Sequence, residues 1–255
     1  MIYFNNMFLI TDTSYIIKKI KGKGRGVCAT RDIDAGTVIG DYLGTIVRPK
    51  DADEKKHGLY DMAGGDKYDI LGDPRVPGIH LINHSCAENC EVYPYKGHIL
   101  CFSLRKIFKG EELTVNYDLY APDEKETTCD MHTCSCGSKI CMGTMHRGLS
   151  PADAAWEKLK KKEFGPFYHN KIPGKYGTLL RPLKKYPHSI HDHANLYNVF
   201  GTETRPPARY ADRTLPAIGE LRKRIRKTGK QLALPKLHLQ IYGVRNGVLI
   251  ATRIK

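Results

Sequence analysis

Short apolar segments separated by glycine-rich turns dominate the first half of the chain. The stretch YIIKKIKGKGRGVCATRDI predicts a strand, a Gly/Lys turn and a second strand, and GTVIGDYLGTIV has the β-branched composition of further strands. HILCFSL at residues 98–104 predicts another strand, and KGEELTVNYDL predicts a turn that leads into one. Residues 49–78 are polar and rich in Asp, Gly and Pro, which favours a loop or a small insert. These patterns predict a mainly β domain.

The pattern changes near Ser150. The stretch SPADAAWEKLKKKEFG begins with a serine N-cap, carries Asp153 three residues later and repeats its apolar residues at helical spacing. PAIGELRKRIRKTG has the same spacing with a basic opposite face. LHLQIYGVRNGVLIATRIK alternates on both sides of Asn246-Gly247, which predicts a hairpin. We therefore expect an α+β chain, mainly β with some α, in which residues 150–255 form a small α+β domain.

The charge distribution changes at the same boundary. Residues 150–255 contain 22 Lys and Arg against 7 Asp and Glu, whereas residues 1–149 contain 19 against 20. A basic unit of this kind favours an acidic partner, either DNA or RNA or an acidic protein. The run RKRIRK at 222–227 is also compatible with a solvated helix face.

The composition predicts a folded protein in a reducing compartment. No apolar run approaches the ~20 residues of a membrane span, so we expect no membrane partner. The apolar start MIYFNNMFLITD lacks a basic leader and a small-residue cleavage site, so we do not interpret it as a signal peptide. We therefore expect a cytoplasmic or nuclear location, where clustered cysteines favour metal binding over disulfides.

The segment CDMHTCSCGSKIC contains a group of three closely spaced cysteines, Cys134, Cys136 and Cys141. Structural zinc sites use four ligands, so one position is left to be filled. Three residues are candidates for it: Cys86 in INHSC, Cys129 and His132. The three isolated cysteines are expected to behave as small buried hydrophobes: Cys28, Cys90 and Cys101. The histidines of HSIHDH (188–193) could bind a second metal, but an exposed polar loop explains them better.

Several other motifs are ambiguous when each is taken alone. The Gly-x-Gly of GKGRGVCA allows a ligand to approach the backbone, but such strings are also ordinary turns. INHSC is compatible with a turn held by local side-chain hydrogen bonds. A single strand tyrosine such as Tyr117 is usually a core residue.

Taken in order, these motifs resemble the SET-domain protein lysine methyltransferases with a post-SET zinc motif. The matching motifs are G-x-G (24–26), Y-x-G (42–44), N-H-S-C (83–86), E-L-T-x-x-Y (112–117) and C-x-C-x4-C (134–141). The resemblance covers about residues 14–145 and implies a SET-domain β-fold, in which the N-H-S-C and E-L-T-x-x-Y segments form a knot-like crossing. It also implies a SET domain at 1–125 and a post-SET zinc motif at 126–149. The change in charge and pattern near Ser150 predicts that a basic C-terminal domain of unknown type follows at 150–255.

The resemblance implies S-adenosylmethionine and Zn²⁺ as cofactors, with specific residues for each. Tyr117 would be the catalytic tyrosine, and Tyr42 would line the lysine channel. The cofactor would contact the backbone of the Gly-rich loop, the side chain of Asn83, the backbone of His84, and Tyr117; the loop residues are Lys23, Gly24, Arg25 and Gly26. Zinc would be held by the three late cysteines and the cysteine of N-H-S-C: Cys86, Cys134, Cys136 and Cys141.

The implied activity is transfer of a methyl group to a lysine amine of a protein, such as a histone or another basic tail. Only a neutral amine can attack, whereas a free lysine has a pKa of about 10.4. A desolvating aromatic channel lowers that pKa and also accommodates a methylated ammonium. Two alternatives remain: a nucleic-acid-binding or chromatin-binding protein with an inactive SET domain, and a methyltransferase of a non-histone protein bound to nucleic acid.

Overall fold

The computed structural model describes residues 8–53, 58–119, 132–138, 141–146, 158, 161–162, 165, 171–193, 240–245 and 248–253. The strands within these ranges are β1 (Tyr15–Ile20), β2 (Gly24–Ala29), β3 (Val38–Asp41), β4 (Thr45–Val47), β5 (Asp61–Gly65), β6 (Tyr68–Leu71), β7 (Asn83–His84), β8 (Cys90–Tyr95), β9 (His98–Ser103), β10 (Thr114–Val115), β11 (Gln240–Arg245) and β12 (Val248–Arg253). Short 3-10 helices occur at Asp12–Ser14, Pro49–Asp51, Ile79–Leu81 and Ile190–Asp192. The prediction of a mainly β protein is thus confirmed.

The chain divides into two compact units. Unit 1 comprises Met1–Asn83, Asn89–Val115 and Phe164–Ala194, and unit 2 comprises His84–Glu88, Asn116–Glu163 and Asn195–Lys255. The domain boundaries expected at residues 125 and 150 stay predictions. None of the helices in the described ranges is long and apolar enough to cross a membrane.

The first predicted hairpin is present in unit 1. Strands β1 and β2 pair antiparallel, with Tyr15 opposite Ala29 and Ile20 opposite Gly24. Gly22 has a φ of 76° and Gly24 a φ of 79°, a region that residues with a Cβ rarely adopt. The glycines of KGKG therefore close a tight turn.

Unit 1 also contains two three-stranded antiparallel sheets, ordered β3-β9-β8 and β4-β6-β5. Strands β3, β4 and β9 lie where the sequence predicts them. Their inward side chains form a closed core with the segments around them; fully buried members include Ile39, Ile46, Ile70, Leu100, Phe102, Ile107 and Leu113. Burial of this apolar set is the main stabilisation that unit 1 can obtain.

The hairpin of β5 and β6 lies within residues 49–78, where the sequence favours a loop or insert. It forms because Tyr68 and Ile70 are buried although polar residues surround them in the sequence. The Tyr68 hydroxyl donates to the Gly97 carbonyl oxygen at 3.0 Å. A Cβ at Gly64 would lie 2.1 Å from the Tyr68 ring, so the ring packs directly on that backbone. The contact with Gly97 comes from a distant segment, which the local pattern does not contain.

Residues 171–193, which the sequence leaves without a predicted element, pack within unit 1. The Ile46 amide donates to the Thr178 carbonyl oxygen at 2.9 Å, and the Leu180 amide donates to that of Gly44 at 2.9 Å. Ser189 caps the 3-10 helix at Ile190–Asp192, and Ile190 is fully buried. The segment thereby supplies backbone partners to the edge of the β4 sheet.

The histidines of this segment do not form a group of potential metal ligands among the described residues. His188 and His191 are exposed, and His193 is half-buried. His193 stacks on Tyr93, with ring centroids 5.4 Å apart.

The C-terminal elements can be compared with the sequence only in part. Strands β11 and β12 pair antiparallel, with Gln240 opposite Arg253 and Arg245 opposite Val248, so the predicted hairpin is confirmed. Lys158, Lys161 and Lys162 are helical, but the rest of the helix predicted from Ser150 lies outside the described residues. The helix predicted for PAIGELRKRIRKTG also lies outside them.

A buried carboxylate binds the segment 171–193 to the β3 sheet. Asp41 Oδ2 lies 2.7 Å from His98 Nδ1 and accepts a hydrogen bond from the Tyr186 hydroxyl at 2.7 Å. Asp41 and His98 are almost completely buried. Burial, followed by the Asp41 carboxylate, raises the pKa of Tyr186, so the hydroxyl keeps its proton and remains a donor.

We expect Tyr186→Phe to lower the free energy of unfolding by about 2 kcal/mol, because it removes a donor from a buried carboxylate. Tyr176→Phe is the matched control, since the Tyr176 hydroxyl donates to the Lys67 carbonyl oxygen at an exposed site. The control should cost less than about 0.5 kcal/mol. Denaturant unfolding of both variants measures the difference, and equal costs would contradict a structural role for the buried contact.

Candidate functional site

The Gly-rich hairpin offers an exposed backbone at one end and a closely packed glycine at the other. Gly24 and Arg25 are exposed, whereas Gly26 is buried. A Cβ at Gly26 would lie 2.6 Å from Asn83 Nδ2 and 2.9 Å from Glu112 Oε1. Gly26 is therefore required for the close approach of Asn83 and Glu112 to the β2 backbone.

Asn83 and Glu112 interact directly. Asn83 Nδ2 donates to Glu112 Oε1 at 2.8 Å and to the Arg25 carbonyl oxygen at 3.1 Å. The second carboxylate oxygen, Oε2, accepts from Lys23 Nζ at 3.0 Å. The Arg25 guanidinium donates to the Pro74 carbonyl oxygen. The structure therefore brings Lys23 and Asn83, two residues predicted to bind the cofactor, onto the Glu112 carboxylate, and Arg25 contacts the same Asn83 through its carbonyl oxygen. Glu112 is the first residue of the E-L-T-x-x-Y motif, but the sequence predicts no site role for it.

Tyr42 belongs to an aromatic group in unit 1. It is buried, and its ring contacts the His80 ring edge-on with centroids 6.1 Å apart. Tyr60 contacts His80 in the same manner at 6.2 Å. Burial lowers the pKa of His80, which favours an uncharged ring. Tyr60 and His80 were not predicted as site residues, because nothing in their local sequence distinguishes them from other loop residues.

In unit 2, His84 and Tyr117 contact each other. The Tyr117 amide donates to His84 Nδ1 at 3.1 Å, and the two rings lie edge-to-face with centroids 5.4 Å apart. Because Nδ1 accepts, a neutral His84 carries its proton on Nε2, which lies 3.5 Å from Cys86 Sγ. Asp118, the next residue, has a φ of 47°, and its amide donates to the Asn116 side chain at 3.0 Å. This local turn ends the segment that carries Tyr117.

Four cysteines converge in unit 2: Cys86, Cys134, Cys136 and Cys141. Their sulfur atoms all lie within 4.8 Å of one another, so they could hold a metal ion. Cys134 Sγ is 3.7 Å from Cys86 Sγ and 3.7 Å from Cys141 Sγ. The Cys134 amide donates to the Gly143 carbonyl oxygen at 3.0 Å, which connects the segments 132–138 and 141–146.

The environment shifts the pKa values of these thiols in different directions. Burial raises the pKa of Cys86 to about 11 and also raises that of Cys134. Burial acts in the same direction on Cys136, but hydrogen bonds from the Cys86 and Ser138 backbone and from the neighbouring thiols lower its pKa to about 7. The cluster therefore favours ionisation of Cys136, and a bound cation would favour ionisation of the other three thiols.

The two rival candidates for the fourth ligand are His132 and Cys129. His132 is not a member of the four-cysteine group; its Nδ1 lies 2.9 Å from His146 Nε2, and both rings are buried. Cys129 lies outside the described residues. The isolated cysteines, Cys28, Cys90 and Cys101, are buried as expected.

Comparison with known proteins identifies the region that carries Gly26, Asn83 and Tyr117. The SET domain family model matches residues 24–118. Histone-lysine N-methyltransferase trithorax of Drosophila virilis is 37% identical over 131 residues, which are 46% of this chain and 3% of that protein. Histone-lysine N-methyltransferase 2B of Homo sapiens is 36% identical over 131 residues, 46% of this chain and 5% of that protein.

A plant relative gives a similar result: histone H3-lysine(4) N-trimethyltransferase ATX1 of Arabidopsis thaliana is 35% identical over 136 residues, 48% of this chain and 12% of that protein. This chain thus spans only a small part of the length of these relatives. The family resemblance found in the sequence is confirmed for the matched region. Residues 24–118 are a SET domain, homologous to the SET domains of histone-lysine methyltransferases.

Proposed function

We propose that this protein is an S-adenosylmethionine-dependent protein-lysine N-methyltransferase that acts on a histone or another basic protein tail. The observation that carries the proposal is the SET-domain match, because the matched residues include the asparagine, histidine and tyrosine to which the family assigns cofactor binding and methyl transfer. These are Asn83, His84 and Tyr117. The names of the relatives support a histone as the substrate class.

The chemistry requires an uncharged lysine amine in line with an electrophilic methyl group. S-adenosylmethionine supplies that methyl group on a positively charged sulfur. Tyr42, Tyr60 and the uncharged His80 are an uncharged aromatic group suited to pack on a lysine stem and desolvate its amine. Desolvation lowers the pKa of an amine, so no dedicated carboxylate or histidine base is needed.

Tyr117 would orient the amine through its hydroxyl. The hydrogen bond from the Tyr117 amide to His84 Nδ1 and the turn at Asp118 limit the conformations of its backbone. Positioning of this kind contributes several kcal/mol to a transfer reaction.

Two other functions remain open. A SET domain that only binds chromatin or nucleic acid would not transfer a methyl group. Labelled cofactor would then label neither the protein itself nor a substrate. A non-histone substrate would give a labelled band other than histone in a lysate.

We also propose that the four cysteines hold zinc. A tetrahedral ion with Zn–S bonds of about 2.3 Å separates its sulfurs by ~3.8 Å. The two Sγ–Sγ distances of 3.7 Å to Cys134 agree with that separation. The four cysteines would then form a closed structural site in which Cys86, rather than Cys129 or His132, is the fourth ligand.

We expect Tyr117→Phe to lower the methyl-transfer rate on the order of a hundredfold, because the amine loses the group that orients it. Cofactor affinity and the melting temperature should change little, since the backbone contact with His84 remains. Tyr176→Phe, at an exposed site, is the control and should transfer methyl groups at the wild-type rate. Wild-type turnover by Tyr117→Phe would exclude Tyr117 as the catalytic tyrosine.

Cys86→Ser should release zinc and reduce methyl transfer, because thiolate ligation contributes to folding of the site. Cys129→Ser should retain one zinc per chain and full activity. Metal content by mass spectrometry under native conditions and methyl transfer should be measured for both variants together. If Cys129→Ser loses zinc while Cys86→Ser keeps it, the late segment binds the metal without Cys86.

The partner of residues 150–255 stays a prediction that rests on their positive charge. We expect the full chain to bind a random DNA duplex at low salt, with affinity that falls steeply as salt is added. Replacing the basic residues of 222–227 with Gln should reduce both the affinity and the salt dependence. Absence of binding by the wild-type chain at low salt would favour an acidic protein as the partner instead.

A further inference from the structure

Both amide hydrogens of Asn83 are used within unit 1. One donates to Glu112 Oε1 at 2.8 Å and the other to the Arg25 carbonyl oxygen at 3.1 Å. Both partners can only accept, since one is a carboxylate and the other a backbone carbonyl. A flipped carboxamide would lose both bonds and would place Oδ1 against two oxygens. The chemistry of the partners therefore determines which way the carboxamide faces.

Glu112 contributes the stronger of the two contacts, because its acceptor is charged. The carboxylate is itself held at its other oxygen by Lys23 Nζ at 3.0 Å, and both side chains are about four-fifths buried, with 18% and 19% of their surface exposed. Its backbone is held as well: the Glu112 carbonyl oxygen accepts from Asn89 Nδ2 at 2.8 Å. Glu112 is therefore fixed at both ends before any ligand binds.

The remaining polar atom of the Asn83 side chain is Oδ1. Within the part of the chain that the structure describes, no hydrogen bond to Oδ1 is formed, and the residue is only half-buried. An amide oxygen can accept but not donate, so it selects a donor as its ligand. Because Glu112 and Lys23 are paired with each other, the Asn83 carboxamide is the group left to bind a ligand.

We propose that Glu112 is a positioning residue of the cofactor site, which orients the Asn83 carboxamide so that Oδ1 accepts from the α-ammonium of the cofactor's amino-acid part. The inference rests on the proposed function, because it requires a ligand with an amino-acid group beside Asn83. Gly26 is part of the same arrangement, since any Cβ there would separate Asn83 from Glu112.

The test compares two ligands that share adenosine and sulfur. S-adenosylhomocysteine carries the amino-acid part, and 5′-methylthioadenosine lacks it. By calorimetry, Glu112→Ala should weaken binding of S-adenosylhomocysteine about tenfold or more. Binding of 5′-methylthioadenosine should change less than about twofold, because the adenosine does not depend on Oδ1.

Two further variants separate positioning from general stability. Glu111→Ala is the matched control, because Glu111 pairs with Arg105 at 2.8 Å with similar exposure and does not contact Asn83; it should leave both affinities unchanged. Glu112→Gln keeps one acceptor oxygen at the same length and should recover part of the lost affinity. In an Asn83→Ala background, Glu112→Ala should have almost no further effect.

Equal loss of affinity for both ligands, or effects of Glu112→Ala and Asn83→Ala that simply add, would overturn the proposal. A ligand-free measurement separates this failure from failure of the proposed function. Hindered rotation and slow exchange of the Asn83 side-chain amide protons by NMR should be present in the wild type and lost in Glu112→Ala. If the wild type binds neither ligand, the proposed function and the ligand role both fall, while the NMR result still decides whether Glu112 orients Asn83.

Discussion

The Glu112 carboxylate connects three segments of unit 1 that lie far apart in the sequence. It binds Lys23 in the β1–β2 turn and Asn83 at the start of β7. A partly buried charge is costly unless it is paired and hydrogen-bonded, and here both oxygens have partners. This contact requires a glycine at position 26, because the β2 backbone there passes so close to both side chains that a Cβ would clash with them. The arrangement of the Gly-rich hairpin and of Asn83 therefore depends on one acidic residue.

Unit 2 likewise brings together side chains from distant segments, in this case four cysteines. Cys86 lies two residues from His84, and its sulfur is grouped with those of three cysteines from residues 134–141. Four thiols at this separation cannot all ionise without a cation, whereas a bound metal stabilises all four thiolates. Since His84 also holds the Tyr117 amide, binding of a metal at Cys86 would restrict the short segment that carries both contacts. Metal binding and the conformation of the proposed catalytic segment are expected to be coupled for this reason.

The segment 171–193 extends unit 1 beyond the residues that match the SET domain family. Its backbone pairs with Gly44 and Ile46, and its Tyr186 supplies a donor to the buried Asp41. A buried carboxylate of this kind contributes little net stability by itself, but loss of a partner leaves an unsatisfied charge in the core. The segment is therefore an integral part of unit 1, although no regular pattern in its sequence indicates it.

The sequence by itself predicts the local elements and nominates the candidate site residues. Alternation and turn glycines are sufficient to predict the β1–β2 hairpin, β3, β9 and the β11–β12 hairpin, because these signals come from neighbouring residues. The ordered motifs are sufficient to identify the SET domain and to nominate Asn83, Tyr117 and the cysteines. Glu112 is the first residue of the E-L-T-x-x-Y motif, but the motif predicts no contact for its carboxylate, since both of its side-chain partners lie far away in the sequence.

Only the tertiary structure decides which distant groups meet. Glu112 and Asn83 are separated by 29 residues, and Glu112 and Lys23 by 89. The buried Tyr68 of the β5–β6 hairpin likewise donates to the carbonyl oxygen of Gly97, which lies in the turn between β8 and β9. Contacts of this range are set by the packing of whole elements and by the need to pair buried polar groups. The spacing of hydrophobic residues within a single segment contains no information on either of these conditions.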